Sequence, residues 1–232
     1  VTVGGSTDPL LRRPFSLSAI DAENGIIEIT WAVVGRGTKM MAGWAVGQSV
    51  SVLGPLGNGL DMNKLPLDRG LVLVAGGTGL APLMPLASQA WKTKTKTIVF
   101  YGARSANELL DTTCLEQGCQ LHIATEDGSV GFKGLVTDLL ETHLGSVVRT
   151  SAAGKATVIS CGPKPMLNQA KQICNRYGFP LLVSLEERMA CGYGLCQGCA
   201  VQSSGHKQEY YHVCTDGPVF WADDINLGEC MK

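Results

Sequence analysis

The sequence has 232 residues, of which 45% are hydrophobic and 17% are charged, enough for one large or two modest cores with a small appendage. Its 19 basic and 20 acidic residues give a formal net charge of −1, which excludes a basic nucleic-acid tail and a polybasic membrane patch. No apolar run reaches the length of a membrane span, and the start lacks the charged and apolar regions of a signal peptide. We therefore expect a cytoplasmic protein that binds neither nucleic acid nor membrane.

Residues 10 to 68 are predicted to form β structure. Two stretches, GIIEITWAVV (25–34) and GQSVSVLG (47–54), are rich in β-branched residues and are bounded by turns that contain glycine. No helical stripe of useful length interrupts them. The segment 1–68 is therefore predicted to be a small antiparallel β-barrel domain.

Three motifs punctuate this β segment: RRPFS (12–16), GRGT (35–38) and GPLGNG (54–59). The guanidinium of Arg13 can neutralise a diphosphate, and the hydroxyl of Ser16 can hydrogen-bond a ring nitrogen. From composition alone, barrel turns with surface arginines are the alternative interpretation.

From residue 70 onward, short apolar runs alternate with helical stripes. GLVLVAGG (70–77) is typical of a strand buried on both faces, and the helical stripe of APLMPLASQAW follows it, with Pro82 in the first turn. The alternation continues through the strands TIVFYGARS, CQLHIAT, ATVISCG and PLLVSL and the helices ANELLDTTCLEQ, KGLVTDLLE and PMLNQAKQICNRY. Five such strands predict a doubly wound parallel sheet over residues 69–184, with its ligand at the carboxyl ends of the strands.

Two glycine-rich loops follow strands of this sheet. In AGGTGLAP (75–82), small residues let a pyrophosphate approach the backbone, and the start of the helix stabilises its charge. Pro82 stands where a complete G-x-G-x-x-G would have its third glycine, so a simple strand-to-helix turn is the alternative. SCGPKPM (160–166) repeats the arrangement after the fourth strand and places Cys161 at that strand's end. Two such loops on one sheet strengthen the prediction of a dinucleotide site.

Beyond residue 184 both patterns end. The segment 185–232 holds five of the nine cysteines and few long apolar runs, so it needs a bound metal or a covalent cross-link to be stable. An odd number of cysteines without a secretory signal argues against a disulfide framework and for metal or redox chemistry.

The cysteines of this segment follow the C-x4-C-x2-C spacing of plant-type [2Fe–2S] proteins, with a fourth cysteine fourteen residues further on. The predicted ligands are Cys191, Cys196, Cys199 and Cys214. Intervening glycines let the backbone turn tightly and bring its N–H groups close to the sulfurs. Cys230 is an alternative to Cys214 as the fourth ligand.

Two other metal centres are open at this point. Zinc sites more often show two C-x2-C pairs, and only one is present here. A Rieske centre needs two histidine ligands, for which His206 and His212 are available. The remaining cysteines are predicted to be small buried hydrophobes: Cys114, Cys119 and Cys174.

The order of the motifs resembles that of ferredoxin-reductase-type flavoproteins: R-P-x-S, G-x-G-T, GPLGNG, GG-x-G-x-AP and CGP-x-PM. The closing LEERMACGYGLCQGCAVQ and VCTDGPVF are similar to the electron-transfer subunits of bacterial dihydroorotate dehydrogenase B. The resemblance covers essentially the whole chain. It implies an FAD-binding barrel (1–68), a NAD-binding α/β domain (69–184) and a small [2Fe–2S] domain (185–232). It also implies further barrel strands before R-P-x-S, so the barrel is expected to be truncated at its N-terminus.

The resemblance also implies roles for individual residues. FAD would be bound by Arg13, Pro14, Phe15 and Ser16, with Gly37 and Thr38 at its diphosphate. The NADH pocket facing the flavin would be formed by Gly76, Gly77, Thr78, Gly79, Cys161, Gly162 and Pro163. Cys161 and Ser16 are the expected catalytic residues, and Cys191, Cys196, Cys199 and Cys214 would ligate the cluster.

In the resembled family the partner is an FMN-containing catalytic subunit that oxidises dihydroorotate to orotate in pyrimidine biosynthesis, in a two-plus-two heterotetramer. Electrons are expected to pass from that FMN through the cluster and FAD to NAD+. The family favours NADH over NADPH, although Arg104 and Ser105 stand where a 2′-phosphate could bind.

Two alternatives stay open from the sequence. One is the small subunit of a ferredoxin–NADP transhydrogenase or a sulfide dehydrogenase. Proteins of these two kinds tend not to have four cysteines at the cluster, so the complete set in this chain favours the dihydroorotate dehydrogenase family. The other is a zinc-stapled interaction module without enzymatic activity, which would leave the two phosphate-type loops unexplained.

Overall fold

The computed structural model describes residues 1–3, 8–67, 70–150, 156–205 and 209–228. In the first segment, strands β1 (Ala19–Asp21) and β2 (Ile26–Glu28) pair antiparallel, and helix α1 (Arg36–Ala42) follows them. Among residues 1–3 and 8–67 this is the only strand pairing.

The stretch 47–54, predicted as a strand, begins in a turn at Gly47, whose φ is +86°, and joins no strand in the described part of the chain. Its backbone is anchored instead by Thr2 N, which donates to Ser51 O at 3.0 Å. Because one strand pair cannot bury two faces, large apolar side chains stay exposed in this segment, among them Ile20, Ile26, Ile27, Val34 and Val46.

The centre of the molecule is a seven-stranded sheet. Its strands are β3 (Leu71–Gly76), β4 (Thr97–Ala103), β5 (Gln120–Thr125), β6 (Phe132–Lys133), β7 (Thr157–Cys161), β8 (Leu181–Ser184) and β11 (Val219–Trp221). Between β8 and β11 in the sequence, two short strands form a separate antiparallel hairpin: β9 (Ala200–Gln202) and β10 (Tyr210–His212). The sheet order is β11-β8-β7-β3-β4-β5-β6. All neighbours are parallel except β11, which runs antiparallel to β8.

Helices cover both faces of this sheet, which confirms the doubly wound prediction. They are α2 (Met84–Lys92), α3 (Thr113–Glu116), α4 (Val136–Thr150) and α5 (Lys164–Tyr177). Alternate residues of β3 enter different cores: Leu71 and Leu73 face α2 and α3, whereas Val72 and Val74 face α4 and α5. Both sets are buried, as the continuous apolar run predicts.

The second predicted helix is interrupted. In place of one helix over ANELLDTTCLEQ, a 3₁₀ turn (Ala106–Glu108) and the four-residue α3 are found. The N–H of Leu110 donates to the Tyr101 hydroxyl at 2.8 Å, and the Asp111 carboxylate accepts from the N–H of Thr113, so side chains capture the hydrogen bonds that a helix would use. The prediction that Cys114 is buried was wrong, because this short helix leaves its side chain exposed.

The C-terminal segment packs against the sheet domain and does not form a separate body. Strand β11 adds an edge to the sheet, and Val213, Phe220 and Ile225 are buried in the same core as α5. No helix in the described part of the chain is long and apolar enough to cross a membrane.

Candidate functional site

The order of the strands places a crevice between β3 and β7. The chain leaves β3 toward β4 on one side and returns later to β7 on the other, so the helices α2 and α5 that follow these strands lie on opposite faces of the sheet. Such a reversal of strand order is where open α/β sheets bind their ligands. Both predicted glycine-rich loops lie here, with Cys161 of β7 directly beside Ala75 of β3.

The two loops are packed tightly on each other through their glycines. A Cβ on Gly79 would lie 2.3 Å from the carbonyl oxygen of Cys161, and a Cβ on Gly76 would lie 2.6 Å from the sulfur of Met166. A Cβ on Gly162 would lie 2.6 Å from the Met166 methyl carbon. Gly79 therefore needs to be glycine, because its close neighbour is backbone, whereas Gly76 and Gly162 face the flexible end of the Met166 side chain.

Gly77 differs from the other loop glycines because it faces open space. Its φ is +55°, and a Cβ there would meet no atom within 4 Å. Thr78 beside it is half-buried. The surface above Gly77 is thus free for a group that approaches the backbone closely, as a diphosphate does.

The second loop leads into the start of α5. Pro163, which is exposed, precedes the helix, and no side chain caps its first turn. Because Pro163 and Pro165 have no N–H and the N–H of Leu167 donates to Pro163 O, this turn can offer an anion only the N–H groups of Lys164 and Met166. Lys164, the first residue of α5, pairs with Glu187 at 2.5 Å and ties this loop to the chain that leads into the cysteine loop.

Cys161 lies beneath the crevice with its side chain fully buried. Burial, and next the carboxylate of Glu186, raise the pKa of the Cys161 thiol to about 12. The thiol is therefore neutral at physiological pH and unsuited to act as a nucleophile. Its predicted catalytic role stays a prediction.

In the first segment, the structure brings the R-P-x-S stretch onto the G-x-G-T turn. A Cβ on Gly37 would lie 2.7 Å from Nε of Arg13, so the guanidinium passes directly over this glycine. The Thr38 hydroxyl accepts from the N–H groups of Val34 and Gly35 at 3.0 Å each and thereby holds the turn. Pro14 and Ser16 are exposed, as a ligand-contacting position requires.

Trp31 is a residue of this region that the sequence did not single out. Its ring centroid lies 6.2 Å from that of Phe15, and its Nε1 is buried without a hydrogen-bond partner among the described residues. A buried donor without a partner is rare in proteins and fits a site completed by a bound group. Together with the guanidinium of Arg13, this donor fits a flavin nucleotide. An aromatic residue in a β-rich run gives no sequence signal for such a role.

The four predicted cluster cysteines lie in two pairs. Sγ of Cys199 is 3.2 Å from Sγ of Cys214, and the N–H of Cys196 donates to Sγ of Cys191 at 3.4 Å. A structural zinc ion takes four ligands around one point, whereas four cysteines of a [2Fe–2S] cluster serve two irons. The paired arrangement therefore favours the two-iron cluster.

Backbone N–H groups point at these sulfurs. Cys196 N donates to Sγ of Cys191, Gly198 N to Sγ of Cys196, and Cys214 N to Sγ of Cys199, each at 3.4 Å. N–H groups of this kind stabilise thiolates and the anionic clusters that they bind.

The thiol pKa differs between Cys191 of the first pair and Cys214 of the second. The N–H of Cys196, and next that of Tyr193, lower the pKa of the Cys191 thiol to about 6. Burial, and next the hydrogen bond with Cys199, raise the pKa of Cys214 to about 11. Cys191 is thus ready to bind metal as the thiolate, while Cys214 must lose its proton when metal binds.

Of the alternative ligands, His212 pairs with the carboxylate of Asp216, whose Oδ2 lies 3.7 Å from its Nδ1. His206 and Cys230 lie outside the described residues.

Comparison with known proteins gives two matches to family models. Residues 186–226 match the iron–sulfur cluster binding domain of dihydroorotate dehydrogenase B, and residues 73–172 match the oxidoreductase NAD-binding domain.

Among curated proteins, the chain is 40% identical over 228 residues to the electron transfer subunit of dihydroorotate dehydrogenase B (NAD(+)) from Geobacillus kaustophilus, covering 98% of this chain and 84% of that protein. The corresponding subunit from Fusobacterium nucleatum is 38% identical over 231 residues, with 98% and 85% covered.

Among solved structures, the NADH-dependent reduced ferredoxin-NADP oxidoreductase superposes with a TM-score of 0.80 and 28% identity, covering 94% of this chain and 75% of that chain. An Amycolatopsis cytochrome P450 reductase gives a TM-score of 0.59 with 27% identity over 75% of this chain and 54% of its own.

Proposed function

Because the chain belongs to the family of electron-transfer subunits of dihydroorotate dehydrogenase B, we propose that it passes electrons between NAD+ and a partner subunit that oxidises dihydroorotate to orotate. It is an NAD-dependent oxidoreductase subunit whose cofactors are FAD and a [2Fe–2S] cluster. The observation that carries the proposal is the paired set of four cysteines, with backbone N–H groups directed at their sulfurs, in the segment that matches the cluster domain.

The cysteines have a defined role in this proposal. Cys191 with Cys196 and Cys199 with Cys214 hold one iron per pair, as their separation into two pairs suggests. The N–H groups of Cys196, Gly198 and Cys214 stabilise the negative charge on the sulfurs.

The first segment holds FAD. Arg13 neutralises the diphosphate above Gly37 and Thr38, and Pro14, Phe15 and Ser16 contact the ring, with Ser16 as a hydrogen-bond donor beside the reacting atoms. Trp31 Nε1 supplies a further donor. FAD, when bound, links the two-electron chemistry of the nicotinamide to the one-electron chemistry of the cluster.

The crevice between β3 and β7 holds the nicotinamide dinucleotide. Gly76, Gly77, Thr78 and Gly79 bring the backbone close to its diphosphate, and Gly162 and Pro163 present the start of α5 to the same anion. Cys161 acts as a neutral thiol under the nicotinamide. The preference is for NADH, which is supported by the relatives' name, dihydroorotate dehydrogenase B (NAD(+)).

The partner is an FMN-containing catalytic subunit, assembled with this chain as a two-plus-two heterotetramer in the cytoplasm and acting in pyrimidine biosynthesis. The name "electron transfer subunit" of the relatives supports a separate catalytic subunit. The chain has no role in binding dihydroorotate in this proposal.

The test is the visible spectrum of the anaerobically purified chain, with iron and flavin assays, before and after addition of NADH. Flavin bands and cluster absorbance that both bleach with NADH are expected. A colourless, zinc-containing protein would overturn the proposal, and so would oxidation of dihydroorotate by the chain without its partner.

The fourth ligand is tested by serine variants in the same assay. Cys214→Ser is expected to lose most of the iron, because one iron is left with a single thiolate. Cys114→Ser is the matched control, since Cys114 is exposed on α3, away from the cysteine loop. Retention of the cluster in Cys214→Ser together with its loss in Cys230→Ser would transfer the role to Cys230.

A further inference from the structure

One loop of the first segment reaches the cysteine segment. Within the loop 54–59, the N–H of Asn58 donates to the carbonyl oxygen of Gly217 at 2.6 Å, and Asn58 pairs with Pro218 as an isolated parallel bridge. The turn 214–218 begins at Cys214, the proposed fourth ligand. The segment that carries the flavin motifs is thus hydrogen-bonded to Gly217, three residues after the proposed ligand Cys214.

Gly57 makes this contact possible. Its φ is +78°, which L side chains rarely adopt, and a Cβ there would lie 2.9 Å from the oxygen of Gly217 and 3.6 Å from the oxygen of Cys214. Any other residue at position 57 must push the turn 214–218 away or distort its own backbone.

The turn 214–218 is held from two other sides. Its Thr215 methyl group packs on Gly194, where a Cβ would lie only 2.8 Å away, in the loop between the ligands Cys191 and Cys196. Its Pro218 carbonyl accepts from Leu185 N at 2.9 Å, at the end of β8. A displacement of this turn by the loop 54–59 is therefore passed to both pairs of cysteines.

We propose that the loop 54–59 is a positioning element that fixes the cluster relative to the flavin-binding segment, with Gly57 and the N–H of Asn58 as its contact points. The inference rests on the proposed function, since it concerns the transfer of electrons between FAD and the cluster. Neither residue touches the reacting atoms; both act through the turn 214–218, which they contact at Gly217.

The test compares Gly57→Ala with Gly59→Ala in the chain loaded with FAD and iron. Gly59 lies two residues away in the same loop, and a Cβ there would meet no atom within 4 Å, so it is a matched control. The readouts are iron and FAD content, the electron paramagnetic resonance spectrum and midpoint potential of the cluster, and the separate rates at which NADH reduces flavin and cluster.

Gly57→Ala is expected to leave flavin reduction by NADH unchanged, to slow cluster reduction on the order of tenfold, and to alter the spectrum or potential of the cluster. Gly59→Ala is expected to match the wild type in every readout. A Gly57→Ala protein with the wild-type spectrum, potential and cluster-reduction rate would overturn the inference.

If Gly57→Ala fails to retain its cofactors, the pair Asn58→Pro and Asn58→Ala carries the test. Proline removes the N–H that bonds Gly217, and alanine keeps it. Slowed cluster reduction in Asn58→Pro alone supports the inference, and equal rates in the two variants overturn it. A wild-type chain without flavin or iron would instead refute the proposed function itself.

Discussion

At the scale of single residues, two glycines of the same loop serve different purposes. Gly79 packs against the carbonyl of Cys161, whereas Gly77 faces open space above the crevice. The first contact stabilises the fold, and the second position is the one proposed to meet the diphosphate. Substitution by alanine separates the two roles, because a methyl group clashes at one position and meets nothing at the other.

Gly79→Ala is expected to lower the free energy of unfolding by about 1–3 kcal/mol, the usual cost of overpacking. Gly77→Ala is expected to cost about 1–2 kcal/mol for its left-handed backbone and, in addition, to weaken NADH binding several-fold. Urea denaturation and NADH titration of the two variants measure this. Unchanged NADH affinity in Gly77→Ala would show that the diphosphate lies elsewhere.

At the scale of elements, two histidines and a phenylalanine join β4, β5 and α4. The ring of Phe100 stacks on His122 and meets His143 edge-on, both with centroids 5.2 Å apart, and Nε2 of His122 is buried without a partner among the described residues. Burial, and next the positive charges of His122 and Lys96, lower the pKa of His143. The packing of α4 on the sheet therefore favours the neutral imidazole.

This arrangement predicts a stability that depends on pH. Below about pH 6.5, the unperturbed value for histidine, the unfolded chain binds more protons than the folded one, so the stabilisation is complete above that pH and is lost as the pH falls through the lowered folded pKa. Urea midpoints from pH 8 to pH 5 are expected to fall less steeply for His143→Phe than for the wild type. Parallel curves for the two proteins would contradict the role of His143.

The elements also differ in how well the sequence predicts them. All five predicted parallel strands are present, because a strand buried on both faces leaves a continuous apolar run. The two-residue β6 and the edge strand β11 are missed, since short edge strands carry little pattern. The helix predicted at 106–117 is interrupted by hydrogen bonds to Tyr101 and Asp111. The spacing of apolar residues along the sequence cannot predict such hydrogen bonds.

In the candidate site, too, some features are predicted by the sequence and others are missed. Spacing finds the cysteines and the glycine loops, because each is local in sequence. Trp31 is missed, since its unsatisfied Nε1 appears only once the chain is folded around it. The contact between Gly57 and Gly217 is missed for the same reason, because it joins residues distant in sequence.

At the scale of the whole molecule, the C-terminal segment is held by two kinds of interaction. Its cysteine loop, with Tyr193 and Leu195 exposed, has little core of its own and depends on the cluster. Its end is attached to the sheet domain by β11 and by Lys171 of α5, whose ammonium donates to the carbonyls of Ala222 at 2.5 Å and Ile225 at 3.2 Å.

Removal of iron should therefore loosen only part of the segment. Hydrogen exchange of the chelator-treated chain is expected to lose protection over residues 191–205 and 209–217, while β3, β7 and β11 keep theirs, because their hydrogen bonds belong to the sheet. In Lys171→Met the loss is expected to extend through Ile225, since the two carbonyls lose their donor. Uniform loss across the sheet on iron removal would show instead that the cluster and the sheet domain unfold as one cooperative unit.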